Sequence, residues 1–418
     1  MKLTIIPTKL QGTVTPPPSK SLAHRLLIAA ALSDGRSTIT NLGDSQDITA
    51  TRRCLSALGA GIEGLEGNAV RVHGLGSSII QAGPAPILDC GESGSTLRFL
   101  IPLALLVNGK AALTGHGRLM ERPLKPYEDL FREKGIAWEI TDGILTVDGG
   151  RGYDRLALDP GEYRLPGNVS SQFFTGLLFA LPLLDGDSAL VPTTPLESRD
   201  YLELTRQAQA LAGVHSQWQG DTLLIPGGQR YQPFAASVEA DWSQAAFWYA
   251  ANFLGAQADI RGLDPASSQG DRAVASFYWK LARPGDVELD VSQCPDLVPP
   301  LCAMAAVRKG TARLTHAARL RLKESDRLSS VTAALTALGA DIQEGADSLT
   351  IRGLDRLAGG GVVDCQNDHR IAMMAAVAAQ ACDRPVTLLG AECVSKSYSR
   401  FWEDYKMLGG EVHGLILG

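Results

Sequence analysis

The sequence predicts an α/β fold (α+β under a stricter definition) of repeated helix-then-hairpin units, three to each half of the chain. The first observation behind this is a recurring signature. A helical segment closes on Gly, a short strand follows, and after a turn a second apolar strand ends near another Gly. The second is a set of strongly apolar helices between the copies, each opening on a small polar or charged motif. The third is composition: 45% hydrophobic, 20% charged and 44 glycines in 418 residues. That balance suits a soluble α/β protein rich in tight turns, and the length suits two or three domains.

In chain order, the signature places Gly59 ahead of strands at Ile62 and 70–72, and Gly135 ahead of Ile136 and 144–147. It recurs with Gly213 ahead of Val214 and 223–225, Gly339 ahead of Ile342 and 349–351, and Gly409 ahead of Val412 and 415–417. A degraded sixth copy surrounds Gly285 at 282–287. Glycine suits the left-handed residue that closes a helix, and the spacing is too long for a solenoid.

The apolar helices fall at 21–32 after Pro16-Pro17-Pro18, at 95–106 after Gly91-Glu92-Ser93-Gly94, and at 170–184 after Pro166-Gly167-Asn168. Others run over 242–253 after Asp241, over 296–307 from Asp296, and over 371–381 from Asp368-His369-Arg370. Apolar on most sides, they are expected to be buried. Their N-termini, where free N–H groups and the helix dipole favour anions, are expected to point at a shared anionic ligand. Ser and Asp at such positions also read simply as N-caps. That plainer reading covers Ser170, Ser171, Asp296 and Asp368, while Lys20 and Arg25 read equally as solvated charges.

The densest run of charge is 319–327, where Arg319, Arg321, Lys323 and Arg327 stand among Glu324 and Asp326. Leu328, Val331, Leu335 and Leu338 follow at helical spacing, so a helix begins near Ser325 or Asp326. A carboxylate such as Glu324 beside a bound phosphate is repelled, and its presence makes sense if it moves a proton.

A net charge of −6 argues against nucleic acid or an anionic membrane as partner, and local cation clusters in an acidic chain point to a small anion. Seven scattered cysteines without a Cys-x-x-Cys indicate reduced thiols in a cytoplasmic protein, with no disulfide scaffold and no metal site. The N-terminal apolar run is too short for a signal peptide, and no stretch is long enough to span a membrane.

These motifs closely resemble the 5-enolpyruvylshikimate-3-phosphate (EPSP) synthase family of enolpyruvyl transferases, the 3-phosphoshikimate 1-carboxyvinyltransferases. The resemblance runs through Pro17-Pro18-Ser19-Lys20-Ser21, Gly91-Glu92-Ser93-Gly94-Ser95-Thr96-Leu97-Arg98, Arg118-Leu119-Met120-Glu121-Arg122-Pro123 and Val169-Ser170-Ser171-Gln172. It continues, in order, through Glu197-Ser198-Arg199-Asp200-Tyr201, Pro295-Asp296, Arg321-Leu322-Lys323-Glu324-Ser325-Asp326-Arg327, Asp368-His369-Arg370 and Cys393-Val394-Ser395-Lys396. It implies two similar domains, each of three helix-plus-strand units, with buried helices whose N-termini face an interdomain cleft. Residues 1–18 and 239–418 would form one domain, carrying both termini with Asp296, Glu324, Arg327, Arg370 and Lys396. Residues 19–238 would form the other, with most of the shikimate 3-phosphate site.

The implied reaction joins phosphoenolpyruvate to the 5-hydroxyl of shikimate 3-phosphate through a tetrahedral intermediate and releases phosphate, with no cofactor and no metal, in a monomer. By the same resemblance Lys20, Gly94, Arg122, Gln172, Arg327, Arg370 and Lys396 would hold phosphoenolpyruvate. Lys20, Ser21, Arg25, Ser170, Ser171, Gln172, Ser198, Tyr201, Asp296 and Lys323 would hold shikimate 3-phosphate. Asp296 would be the general base at the 5-hydroxyl and Glu324 the proton donor and acceptor at the methylene carbon. Lys20 would act at the departing oxygen. His24 and His369 sit inside these motifs without an assigned proton role.

Glu92 and Arg319 depart from the family pattern, standing where members often carry Asn, and Arg199 adds a cation beside Ser198. Because Gly94 is retained, the resemblance implies that the herbicide glyphosate binds in the phosphoenolpyruvate subsite. One rival reading is the sister enzyme acting on UDP-N-acetylglucosamine, which uses a loop cysteine; the stretch 114–127 has none. The other is a non-catalytic small-anion-binding protein, which would gain nothing from keeping Asp296 and Glu324.

Overall fold

The computed structural model describes residues 1–76, 84–150 and 157–414. It divides into two compact units, Met1–Pro17 with Ala240–Gly418, and Pro18–Glu239.

Within the Pro18–Glu239 unit three four-stranded sheets share one wiring. Ile87–Asp89 leads through the Gly94–Asn108 helix to the parallel strand Lys110–Thr114. The Lys125–Glu133 helix then leads to the Ala137–Thr141/Ile144–Asp148 hairpin, which adds to the sheet antiparallel. Gly161–Leu165, the Ser171–Ala180 helix, Ser188–Pro192, the Arg199–Leu211 helix and the Gln217–Gln219/Thr222–Ile225 hairpin repeat this order. In the third sheet the strand that starts the pattern comes last in sequence: Ala235–Ser237 pairs parallel with Arg36–Thr40. That sheet is completed by Gly61–Leu65 and Ala69–His73.

The other unit repeats the wiring with Val287–Asp290, the Val298–Ala305 helix, Thr311–Thr315, the Arg327–Ala337 helix and the Asp341–Glu344/Leu349–Arg352 hairpin. Its second four-stranded sheet starts from Val362–Asp364 and Val386–Leu389 with the His369–Ala378 helix between them. There the chain's own first strand, Lys2–Ile6, lies between Val386–Leu389 and Glu411–His413. The partner expected for Val412 at 415–417 lies outside the described residues. The signature at 282–287 is no hairpin: the helix Val274–Ala282 ends, Gly285 takes a φ of +98°, and Val287 opens a strand parallel to Thr311–Thr315.

The apolar helices are buried on nearly every side because they pack both on sheets and on one another. Within Gly94–Asn108 every residue from Thr96 to Val107 is buried, and Lys20–Ala31, Ser171–Ala180 and His369–Ala378 are similarly enclosed. Side-chain oxygens close their starts: Ser19, Ser93, Ser170 and Asp368 each accept from a backbone N–H two or three residues on. The 296–307 expectation resolves into a 3-10 turn, Pro295–Leu297, ahead of the helix Val298–Ala305. Pro299 and Pro300 are tolerated in its first turn, where N–H groups have no helical partner. Among the described residues no helix is long and apolar enough to cross a membrane, and no cluster of His, Cys, Asp or Glu could hold a metal ion.

Candidate active site

In the Ala240–Gly418 stretch one guanidinium gathers the predicted proton carriers. Arg327, the first residue of its helix, is 1% exposed and donates from Nη1 to Asp296 Oδ1 at 2.8 Å. It donates from Nη2 to Glu324 Oε2 at 2.6 Å and from Nε to Asp368 Oδ2 at 2.8 Å. Asp368 is wholly buried; it also caps its own helix at Arg370 N (3.0 Å) and accepts from Ser325 Oγ (3.1 Å). Arg370 approaches Asp296 from the other side, Nη2 to Oδ2 at 2.9 Å and Nη1 to the Asp296 carbonyl at 3.1 Å. Lys323 Nζ lies 3.6 Å from Asp296 Oδ1, and Lys396 donates to the Asn367 carbonyl at 2.8 Å.

The charges decide the protonation states. Burial by itself would raise the Asp296 carboxyl, but Arg370, Lys323 and Arg327 outweigh it and hold the group well below the usual carboxylate range. Burial would likewise weaken the Arg327 charge, and Asp368, Glu324 and Asp296 more than restore it. The Lys323 amine is brought down to about 8 by burial, with Asp296 pulling against that and Arg327 and Arg319 adding to it. Asp296 therefore stands as an anion with an arginine on each oxygen. The plainer reading of it as a mere helix cap does not describe this arrangement.

In the Pro18–Glu239 unit Lys20 and Arg122 each sit at or against a helix start. Lys20 opens its helix and pairs with Asp47 at 2.8 Å. Arg122 lies over the Gly94 turn so closely that a Cβ on Gly94 would sit 2.7 Å from its Nη1. Gln172 is clamped between Arg98 Nη1 (2.6 Å to Oε1) and Ser95 Oγ (3.0 Å from Nε2). Ser170 Oγ accepts from Gln172 N at 3.3 Å, and Ser171 is the first residue of the helix.

Arg25 is 2% exposed, not a solvated charge. It donates to Thr205 Oγ1, Thr175 Oγ1 and the carbonyls of Ser21 and Tyr201, and its guanidinium sits 5.7 Å from the Tyr201 ring centroid. Ser198 is buried in left-handed backbone, φ +57°, just ahead of the Arg199–Leu211 helix.

The residues outside the family pattern also have definite places. Glu92 lies against the 115–118 turn, since a Cβ on Gly117 would be 2.9 Å from its Oε2. Arg319 donates to the Ser292 carbonyl, and Arg199 stacks 4.0 Å over Trp218 beside Asp221. Asp47, Arg98 and Asp271 carry no expected role from the sequence alone. Arg98 had a usable signal, four residues beyond Gly94 on one helix. Asp47 and Asp271 had none, because only the tertiary fold brings them to Lys20 and to Asp296. Asp271 accepts from Ser243 Oγ, and burial pushes its carboxyl up to about 7, with Asp296 adding to the rise.

A family model for EPSP synthase (3-phosphoshikimate 1-carboxyvinyltransferase) matches residues 5–405. The chain is 44% identical to a 3-phosphoshikimate 1-carboxyvinyltransferase of Clostridium kluyveri, over 100% of this chain and 99% of that one. It is 40% identical to one from Clostridioides difficile, over 100% and 99%. An EPSP synthase structure from Acinetobacter baumannii superposes with a TM-score of 0.79 at 25% identity, covering 99% of this chain and 100% of that one. The enolpyruvyl transferase NikO of Streptomyces tendae, at 18% identity and a TM-score of 0.74 over 99% and 98%, shares the fold.

Proposed function

This chain belongs to the EPSP synthase (3-phosphoshikimate 1-carboxyvinyltransferase) family, and from that premise we propose how its residues divide the work of the reaction. The enzyme transfers the enolpyruvyl group of phosphoenolpyruvate to the 5-hydroxyl of shikimate 3-phosphate and releases phosphate, a step of the shikimate pathway. The observation that carries the assignment is the convergence of Asp296 and Glu324 on Arg327.

Arg327 and Arg370 take the phosphoenolpyruvate carboxylate, for which paired guanidinium N–H groups are well shaped. Lys20, Arg122 and Lys396 take its phosphate, with Gly94 leaving room for Arg122 and Gln172 at the edge of the same subsite. Ser21, Ser170, Ser171, Gln172, Ser198, Tyr201 and Lys323 receive shikimate 3-phosphate. Arg25 acts there mainly by holding Ser21 and Tyr201, which its hydrogen bonds support.

Asp296 is bonded to the same two arginines that would receive the phosphoenolpyruvate carboxylate. As that carboxylate arrives, Asp296 loses countercharge and its proton affinity rises, so the base strengthens when both reactants are present. Asp296 then accepts the 5-hydroxyl proton while the oxygen bonds to C2 of phosphoenolpyruvate; Glu324, which takes up a proton from solvent as the incoming carboxylate draws Arg327 away from it, gives that proton to C3. In the second half Glu324 takes a proton back from that methyl group, the C2–C3 double bond re-forms as the C2–O bond to phosphate breaks, Lys20 gives the departing oxygen a proton, and the proton on Asp296 returns through solvent to Lys20. Exclusion of water strengthens each of these charge contacts. The acidic net charge and buried free thiols support a cytoplasmic setting, and one chain carries every residue invoked, which supports a monomer.

The test is phosphate release by purified protein with phosphoenolpyruvate, with and without shikimate 3-phosphate, and with UDP-N-acetylglucosamine in parallel. Release only with shikimate 3-phosphate is expected. Release with the sugar, or none from folded protein, overturns the reading.

A further inference from the structure

Beneath the Gly94 turn lies a buried chain of hydrogen bonds that the reaction itself does not use. His24 Nδ1 meets Thr51 Oγ1 at 2.7 Å, Thr51 Oγ1 meets Thr96 Oγ1 at 2.7 Å, and Thr96 Oγ1 donates to Ser93 Oγ at 2.7 Å. Ser93 Oγ also accepts from Thr96 N at 3.2 Å and so caps the Gly94–Asn108 helix. All four side chains are at most 1% exposed.

The donors can be assigned by elimination, since a hydroxyl has one hydrogen. Thr96 gives its hydrogen to Ser93, so Thr51 must donate to Thr96; otherwise two lone pairs would face each other at 2.7 Å. Thr51 then has only a lone pair left for His24, and Nδ1 must carry the imidazole hydrogen. Nε2 is correspondingly bare, and it is the ring nitrogen that is buried with no hydrogen-bonding partner among the described residues. A proton there would be an unsatisfied buried donor. The surroundings agree: burial first, then Lys20 and Arg25, lowers the His24 pKa well below its usual value.

Two parallel rungs join the same pair of helices. Lys20 and His24 are four residues apart on Lys20–Ala31, as Asp47 and Thr51 are on Gln46–Ala57, and each faces its counterpart. The His24–Thr51 rung continues through Thr96 to Ser93 and hence to Gly94, against which Arg122 rests.

We propose that His24, as its Nδ1–H tautomer, is a positioning residue of the phosphoenolpyruvate subsite, holding Ser93 and Gly94 in register with Arg122 and Lys20 through Thr51 and Thr96. This rests on the assignment of Gly94, Arg122 and Lys20 to that substrate. A change at His24 or Thr51 acts through the Gly94 turn, so it weakens phosphoenolpyruvate and leaves shikimate 3-phosphate largely unaffected.

Two measurements test it. In 15N-histidine NMR of the full-length protein, the His24 ring should show protonated Nδ1 and bare Nε2 across pH 5.5 to 8. An Nε2–H tautomer, or titration near the ordinary histidine value, overturns the tautomer and with it the chain of donors. Thr51→Val, isosteric but lacking the hydroxyl, breaks the bonds to both His24 and Thr96 and should raise KM for phosphoenolpyruvate about fivefold or more. Its KM for shikimate 3-phosphate should stay within about twofold, and Thr51→Ser should restore the wild-type values. A Thr51→Val enzyme with lowered Tm but both KM values unchanged would mean that the chain only stabilises the fold. Failure of the substrate assignment is separately visible, because wild type would then release no phosphate with these substrates.

Discussion

Glu324 illustrates what a single residue can be asked to do. Its carboxylate is held 2.6 Å from Arg327 Nη2 at the mouth of a helix whose cap, Asp326, already satisfies the free N–H of Ser329. That cap belongs to Asp326 and stays in place when Glu324 is removed, so the helix should remain intact. Glu324→Ala is expected to bind both substrates with near-normal affinity and to lose at least about 100-fold in turnover, the usual size of a proton-transfer contribution. Calorimetric titration beside steady-state rates checks this; lost binding together with a broadened thermal transition would make Glu324 a structural residue. At Gly94 the argument is steric. An alanine Cβ would meet the Arg122 guanidinium at 2.7 to 3.0 Å, and the flexible end of that side chain would give way before the helix did. Gly94→Ala should therefore fold normally while KM for phosphoenolpyruvate rises about tenfold or more. Glyphosate, expected to inhibit the wild type in the same subsite, should lose more affinity than the substrate does. Equal kinetics in the two proteins would show that Arg122 is not placed by this contact.

Among the elements, those with an internal period were the most legible. The apolar helices and the Gly-closed hairpins follow from local pattern, and 242–253 begins and ends where the structure has Trp242–Phe253. What local pattern could not supply was pairing between distant segments, such as the parallel union of Ala235–Ser237 with Arg36–Thr40, or the approach of Asp47 to Lys20. Asp271 belongs to this class: it lies on the short turn Gly270–Ala273 and reads as an ordinary surface acid until the fold buries it. Burial first, with Asp296 and Asp241 adding and Arg370 and Ser243 opposing, raises it from 3.8 to about 7. The folded chain thus keeps a proton that the unfolded chain has released, so stability falls as pH rises from 3.8 to about 7 and levels off above. Asp271→Asn can still accept from Ser243 and has no proton to lose. Its Tm relative to wild type should accordingly climb between pH 5 and pH 8. Parallel Tm curves for the two proteins across that range would exclude a raised Asp271.

At the scale of the whole molecule, the apolar interior is parted along the same lines as the chain. One buried cluster runs from Leu22 to Val238, the other joins Leu3, Ile5, Leu10 and Val14 to residues from Trp242 to Leu408. The second cluster depends on a segment remote in sequence. Lys2–Ile6 is an interior strand, bonded to Val386–Leu389 on one side and Glu411–His413 on the other, with Leu3 and Ile5 fully buried on its inner face. Its removal would strip Glu411–His413 of its ladder, leave Val386–Leu389 paired only with Val362–Asp364, and open a core cavity, a loss comparable to several large-to-small core substitutions at about 2–5 kcal/mol each. Against a typical domain stability of about 5–15 kcal/mol, that should be enough to unfold the unit. Deleting residues 1–8 should therefore leave 240–418 without a cooperative transition while 18–239 keeps its own, since no member of the first cluster comes from the deleted strand. Hydrogen exchange resolved by segment distinguishes the outcomes. Protection retained in 18–239 and lost in 240–418 is expected. Loss throughout would mean that the two interiors fold only together, and retention throughout would mean that the N-terminal strand is dispensable.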